Sequence, residues 1–323
     1  MVKLVVDCFG GDHSPQANVQ GALDALESMD DISLILTGDR KVIEDALGDR
    51  VYDASRLEIV HAPQVIGCDE KPTDVIRLKR DSSMMKAIMM LRDDDDISGM
   101  VSIGSSGALV TGALVRIGRI PGVIRPAFCP VIPTMNGGLA GICDSGANMV
   151  VDAAMMRQFA IMASLYLENV FGIKSARTAL LNVGKEPEKG DDMHQEAYRL
   201  LADTDGVNFV GNMESRDLLS GNYDVIVSDG FSGNVLLKSM EGTALELLMK
   251  VKEMIYSHTA YKLGALLQKG MFRDLKNMMN YGNYGGSVLL GLSKVIVKGH
   301  GRALAAAVPL DYDFDSPRRT EPP

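Results

Sequence analysis

Short β-branched runs alternate with helix-length segments from the first residues onward, and this alternation restricts the fold more than any other feature of the chain. Residues 4–6, 32–36, 57–60 and 100–103 read as strands. Between them, 15–29, 39–47 and 73–91 carry apolar residues at helical spacing, the last as one long helix. The pattern continues with a helix over 108–117, two adjacent strands over 127–132 and 139–143, and a helix over 151–171. Further strands follow at 178–183, 207–210, 225–227 and 295–297. Strands and helices in this order build βαβ units, so the expectation is a three-layer α/β/α fold with a mainly parallel sheet. Residues 1–308 are read as one such domain, and the polar, proline-rich stretch 309–323 as a disordered tail.

A junction recurs in which a strand ends, a glycine-rich turn follows and a helix begins. The turns are Gly10-Gly11-Asp12-His13-Ser14-Pro15, Gly104-Ser105-Ser106-Gly107, Asp144-Ser145-Gly146-Ala147-Asn148, the stretch 184–190, Asp229-Gly230-Phe231-Ser232-Gly233-Asn234, and Gly299-His300-Gly301. In a parallel sheet such turns lie beyond the carboxyl ends of the strands, where ligands bind. Glycine permits close backbone approach, and helix N-termini offer unpaired N–H groups suited to an anion, phosphate first. Each residue has a plainer reading beside the functional one. Ser14 before Pro15 makes a good helix start. His13 fits a phosphate-facing donor and a simple turn residue equally well. His300, between two glycines, is the more accessible ligand. Lys189 suits an oxyanion or phosphate partner, or an ordinary surface lysine. Asp229 and Asn234 fit either polar site groups or caps of the helix that follows.

Other chemistries lack their motifs. There is no GxxxxGK[ST], no GxGxxG after a strand, no complete GxSxG and no HExxH. The Asp191, Asp192, His194 and Glu196 cluster reads as a solvated helix start, and the run 93–96 as a solvated loop, so no metal and no cofactor is expected. The net charge of −9 argues against nucleic acid as a partner. Four cysteines without a CxxC pair read as buried thiols, and most of the 20 methionines as core. Without a signal-peptide pattern or an 18-residue apolar run, the expected location is cytoplasmic, with peripheral contact to the inner face of the cell membrane as an option.

Residues 244–280 differ from the rest. Leu245, Leu248 and Val251 share a helical face, as do Leu263, Leu267, Met271, Leu275 and Met278. Six Lys/Arg against two acids fall between positions 250 and 280. A basic, amphipathic helical pair is therefore expected to protrude from an acidic protein.

Taken in order, several segments resemble one family. Asp7-Cys8-Phe9-Gly10-Gly11-Asp12-His13-Ser14-Pro15 is similar to the DxMGGDxxP opening of the acyl-acyl-carrier-protein:phosphate acyltransferases of bacterial phospholipid synthesis. The similarity continues through His61-Ala62-Pro63, Lys71-Pro72, Lys79-Arg80-Asp81-Ser82-Ser83-Met84, Gly118-Arg119-Ile120-Pro121-Gly122, Gly146-Ala147-Asn148 and Leu181-Asn182-Val183-Gly184. It ends with Lys189-Gly190, Asp229-Gly230-Phe231-Ser232-Gly233-Asn234-Val235-Leu236-Leu237-Lys238, Tyr284-Gly285-Gly286 and His300-Gly301. This chain has Ser105 and Ser106 where the family usually has asparagine and threonine, and Val150 where it usually has aspartate.

The resemblance implies a Rossmann-like fold of the isocitrate/isopropylmalate dehydrogenase or phosphotransacetylase type. It implies transfer of a long-chain fatty acyl group from acyl carrier protein to inorganic phosphate, giving acyl phosphate for phospholipid synthesis, in a homodimer with peripheral membrane contact. On that reading Gly10, Gly11, Asp12, Gly104, Ser105, Ser106 and Gly107 hold phosphate. Lys189 and His300 balance charge, Asp229 and Asn234 orient them, and His13 or His300 protonates the leaving thiol. Lys262, Leu266, Leu267, Lys269, Met271, Phe272, Arg273 and Lys276 meet the carrier protein, the membrane or a second subunit. Transfer between acyl-coenzyme A and phosphate, or a non-catalytic scaffold, are the other readings; a nicotinamide dehydrogenase is suggested by the fold alone.

Overall fold

The computed structural model describes residues 1–11, 13–67, 69–272 and 286–299. Asp12, Arg273, Lys276, Leu275, Met278, His300 and the 309–323 tail, all singled out above, lie outside the described residues.

Along the chain run β1 (Val2–Asp7), α1 (Gln16–Ser28), β2 (Ile32–Gly38), α2 (Arg40–Leu47), β3 (Leu57–His61), α3 (Pro72–Leu78), α4 (Ser83–Asp93), β4 (Ile97–Ser102) and α5 (Ser106–Arg116). Then come β5 (Ala127–Cys129), β6 (Val131–Pro133), β7 (Leu139–Cys143), α6 (Ala153–Phe171), β8 (Arg177–Asn182), α7 (Asp192–Ala202), β9 (Asn208–Glu214) and β10 (Val225–Val227). The described part closes with α8 (Gly230–Ser257), α9 (Thr259–Leu267), β11 (Ser287–Leu290) and β12 (Val295–Lys298).

The strands divide between two sheets, of order β3-β2-β1-β4-β12-β11-β5 and β6-β7-β10-β8-β9. All neighbours are parallel except β11, antiparallel to β12 and β5, and β6, antiparallel to β7. The first sheet is apolar on both faces, as a mainly parallel sheet between helices must be. Val6, Leu36, Val101, Cys129 and Val297 face a core shared with α1, α2 and α6. Their chain neighbours Val5, Ile35, Met100, Phe128 and Ile296 face a second core with α3, α4 and α5. The first of these cores continues through Phe159 and Leu167 of α6 onto Cys143, Leu180 and Val225 of the second sheet. The opposite face of that sheet, with Ile142, Ala179 and Ile226, packs on Leu237 of α8. This is the expected α/β/α layering.

Three local expectations change. The helix expected over 73–91 is two helices. Lys79 leaves helical geometry, with φ −114 and ψ 54, and Ser82 starts α4 by accepting the Met85 N–H. The break is tertiary in origin: Gln64 N–H donates to the Asp81 carbonyl and Ser83 N–H to the Gln64 carbonyl. The strand expected over 127–132 is two strands in different sheets. Pro130 lies between them, and Val131–Pro133 turns away to pair with Leu139–Cys143. Finally, Ser14 does not start α1. Its Oγ accepts the Gly11 N–H at 2.8 Å and closes the first turn, while Pro15 takes the cap position.

Candidate functional site

Among the described residues, the glycine turns fall into two groups, one at the carboxyl edge of each sheet. β1, β4 and β12 are consecutive in the first sheet, with Asp7, Ser102 and Lys298 in register. Their turns are therefore neighbours. A Cβ on Gly10, which has φ +98, would lie 2.7 Å from the Cα of Gly104. A Cβ on Gly11 would lie 2.5 Å from Ile103 Cδ1. Gly299, the one described residue of the sixth turn, donates its N–H to the Ser102 carbonyl at 2.9 Å, beside the second turn.

Asp7, buried at the end of β1, ties this group together. Its Oδ2 accepts the Ser102 hydroxyl at 2.7 Å and its Oδ1 the Phe9 N–H at 3.3 Å. Ser102 Oγ in turn accepts the Gly104 N–H at 3.1 Å. Burial pushes the Asp7 carboxyl up, against the hydrogen bonds from Ser83 and Ser102 and the charge of Lys298, which pull it down. Ser105 caps α5 with a long 3.5 Å bond from the Ala108 N–H, and Leu109 N–H takes the Ser105 carbonyl. Ser106 and Gly107 N–H have no acceptor among the described residues. Gly107 also answers to packing, because a Cβ there would stand 2.9 Å from Pro72 of α3. His13 is exposed in the first turn, its carbonyl accepting the Ala17 N–H.

The second group surrounds Asp144, which follows β7 and is fully buried. Its carboxylate accepts N–H bonds from Phe128, Gly146, Ala147 and Asn148, and the Asn148 side-chain amide, at 2.7–3.2 Å. Burial nonetheless raises its pKa. The third turn thus closes on its own carboxylate and offers no free nest to a ligand. Asp144 also shapes the fifth turn: a Cβ on Gly230 would meet Asp144 Oδ2 at 2.7 Å, and Gly230 N–H donates to the Asn148 carbonyl. Asp229 is the cap of α8, accepting the Ser232 N–H at 2.8 Å. Asn234 lies within α8, so it is no cap. Its side chain instead borders Gly146, 3.6 Å from where a Cβ there would stand. On the next strand, Asn182 donates to the Lys189 carbonyl and to Asn212 Oδ1, which fixes the fourth turn while Lys189 itself stays exposed. The structure thus groups Lys189, Asp229 and Asn234 at one sheet and Gly10, Gly11, His13 and Gly104–Gly107 at the other. The second group is tied to the edge of the first sheet at β5, where Ser145 N–H donates to the Phe128 carbonyl, and at the residue before that strand, where Asn148 Nδ2 donates to the Pro126 carbonyl.

Asp7, Ser102, Asp144 and Asn182 organise these turns, yet sequence reasoning assigned them no role. Asp7 and Asn182 stand inside segments that resemble the family and Asp144 opens the third glycine turn; Ser102 has only its place at the end of an apolar run. Elsewhere, Asp191 caps α7 and also bonds the His194 ring at 2.6 Å. An open cleft of about 400 Å³ lies between Val60, Arg80, Lys86, Met89 and Met90, away from all these turns. α9 leaves Leu266 and Leu267 exposed, the latter at 89%, and Met271 beyond it is exposed as well. Lys262 stands over the Tyr256 ring at 5.5 Å. No helix among the described residues is long and apolar enough to cross a membrane.

Comparison with known proteins follows the same lines. The family profile described as "Fatty acid synthesis protein" matches residues 2–311. The chain is 42% identical to a phosphate acyltransferase of Streptococcus equi subsp. zooepidemicus, covering 95% of this chain and 91% of that one. It is 39% identical to one from Clostridioides difficile (95% and 89%) and 38% to one from Bacillus subtilis (95% and 91%). Among solved structures, a phosphotransacetylase from Streptococcus pyogenes aligns over 95% of this chain and 91% of its own. That match has a TM-score of 0.59 at 15% identity. EutD phosphotransacetylase from Staphylococcus aureus gives 0.56 at 17%, over 94% and 91%. These two likenesses concern the fold, and agree with the α/β/α class. On the full-length sequence matches, the chain belongs to the fatty acid synthesis protein family, among relatives named phosphate acyltransferases.

Proposed function

We propose that this protein transfers a long-chain fatty acyl group from a thioester, carried by acyl carrier protein, to inorganic phosphate. The observation that carries the reading is the contact of Gly10 with Gly104 beside the start of α5, where Ser106 and Gly107 N–H find no acceptor among the described residues. Backbone is brought to backbone there with no side chain between, which suits a small multivalent anion.

In the proposed step a phosphate oxygen attacks the thioester carbonyl carbon. A C–O bond forms, the C–S bond breaks, and the thiolate leaves and takes a proton. Phosphate is itself the nucleophile, so the protein's task is to hold two reactants together and stabilise the developing oxyanion. Gly10, Gly11, Asp12 and the residues Gly104, Ser105, Ser106 and Gly107 hold the phosphate. Lys189 and His300 balance its charge, Asp229 supports the start of α8, and Asn234 faces the substrate from the second group. His13 or His300 supplies the proton to sulfur. Neither a metal nor a cofactor is required by this chemistry.

The same reading places Lys262, Leu266, Leu267, Lys269 and Met271, all exposed in α9 or just after it, together with Phe272, Arg273 and Lys276 that follow in sequence, at an acidic surface. That surface is the carrier protein, an anionic membrane or the second subunit of a homodimer. Supplying the purified chain with acyl-carrier-protein and acyl-coenzyme A thioesters side by side, with and without phosphate, tests the proposal. Phosphate-dependent loss of the carrier-protein thioester supports it. Preference for coenzyme A would instead make the protein a phosphotransacetylase.

A further inference from the structure

Strand register lines up a row of polar residues across the carboxyl edge of the first sheet. Asp7 pairs with Thr37 on one side and Ser102 on the other, Ser102 pairs with Lys298, and Lys298 with Ser287. The row lies on one face. Residues two positions back along β1, β2, β4 and β12, and Leu289 two positions on along β11, all belong to the core beneath α3, α4 and α5. Such a sheet edge is ordinarily apolar or self-satisfied, and at one end this row is satisfied. Thr37 Oγ1 donates to the Val6 or Ser83 carbonyl, and Ser102 donates to Asp7. At Ser287, the far member of the row, it is not satisfied among the described residues. Ser287 is 95% buried by its 5% exposure, and its Oγ has no hydrogen-bond partner among the described residues. An orphaned hydroxyl in a buried row is costly unless a ligand completes it. Between it and Asp7 stands Lys298, half-buried, whose charge reaches the Asp7 carboxylate.

We infer that Lys298 and Ser287 are phosphate-binding residues. The ammonium of Lys298 and the hydroxyl of Ser287 take phosphoryl oxygens at the edge of β12 and β11, and Asp7 and Ser102 fix the register of the row. This rests on the phosphate reading above and extends it to residues outside the glycine turns. The phosphodiester of a carrier's prosthetic arm presents the same oxygens as free phosphate, so the test has to separate them.

Lys298→Gln, Lys298→Arg and Ser287→Ala are to be compared with the parent in two measurements. One is KM for phosphate and for the acyl thioester; the other is the rise in Tm on adding phosphate without thioester. The expected result is a phosphate KM raised about tenfold or more in K298Q, as for loss of a charge-assisted bond. S287A raises it about three- to fivefold, K298R restores it to within about threefold, and thioester KM stays at the parental value. The Tm rise with phosphate shrinks in K298Q even if turnover is too slow to measure. The inference is overturned if the parent responds to phosphate while K298Q and S287A keep its phosphate KM and Tm rise, or if thioester KM moves instead. A parent that neither turns over with phosphate nor gains Tm from it overturns this inference together with the reading it rests on.

Discussion

Gly10 and Gly104 touch backbone to backbone: a Cβ added to Gly10 would stand 2.7 Å from the Gly104 Cα, at a φ of +98 that L side chains rarely adopt. Two turns separated by more than ninety residues of chain are thereby pressed into one wall. Gly10→Ala pushes them apart and strains the backbone, at a cost of roughly 1–3 kcal/mol. The expected outcome is a lower Tm in a folded protein, with phosphate-dependent turnover reduced at least tenfold. Parental turnover would show that the contact is not part of the site.

Asp144 accepts five N–H bonds inside the second group. In Asp144→Asn one oxygen acceptor becomes a donor facing donors, which leaves buried N–H groups unpaired at about 1–3 kcal/mol each. Thermal denaturation is expected to show a clear loss of stability, and turnover to fall because Asn148 and the start of α8 lose their tether. Unchanged stability would contradict the role given to this carboxylate.

How much of this was readable beforehand differs from element to element. The α/β/α layering was legible because short runs apolar on consecutive positions, such as Val5/Val6, Ile35/Leu36 and Met100/Val101, alternate with longer segments apolar at helical spacing, as strands buried on both faces between helices require. The caps were legible in part: an aspartate stands at Asp39, Asp191 and Asp229 before an apolar periodic run. The break between α3 and α4 was not, because Lys79, Arg80 and Asp81 are all tolerated in helices and the interruption comes from Gln64, fifteen residues earlier. The division into two sheets turns on Pro130, which a single strand running on to Ile132 conceals. Asp7 and Ser102 were passed over because only strand register brings together two residues so far apart in sequence. Asp12 and His300 lie outside the described residues, so their expected roles rest on sequence.

Away from the site, Asp224 at the start of β10 holds Arg177 through its N–H, Nε and guanidinium nitrogen at 2.7–2.9 Å. Burial alone would raise the Asp224 pKa, but these bonds outweigh it and hold the carboxyl below its ordinary value of 3.8. A group lowered on folding stabilises above its unfolded pKa, and that contribution is lost as pH falls through the folded value. Asp224→Asn is therefore expected to cost roughly 1–3 kcal/mol at neutral pH and to flatten the acid limb of the stability curve below about pH 4. Turnover should be nearly unchanged, because the pair sits at the amino ends of β8 and β10. Acid unfolding followed by circular dichroism in parent and variant checks this.

Leu267 is 89% exposed and Met271 53%. With both changed to glutamate, sedimentation with anionic vesicles is expected to fall severalfold, because two exposed apolar side chains proposed to enter the lipid interface become negative charges at an anionic surface. Equal sedimentation of parent and variant would remove the membrane from the account and leave this surface to the carrier protein or the second subunit.

Lys189 is exposed, with its carbonyl rather than its ammonium fixed by Asn182. Lys189→Ala and His300→Ala are each expected to cut turnover at least tenfold while the Tm stays near the parental value. Full activity in either variant would strike that residue from the scheme.

The most direct test of the central claim is the loss of acyl-acyl carrier protein thioester by the purified chain as inorganic phosphate is titrated in, with acyl phosphate trapped as its hydroxamate. The account predicts no loss without phosphate, a saturable rise with it, and one hydroxamate for each thioester consumed. Thioester loss at the same rate without phosphate, or none at any phosphate concentration, would contradict it.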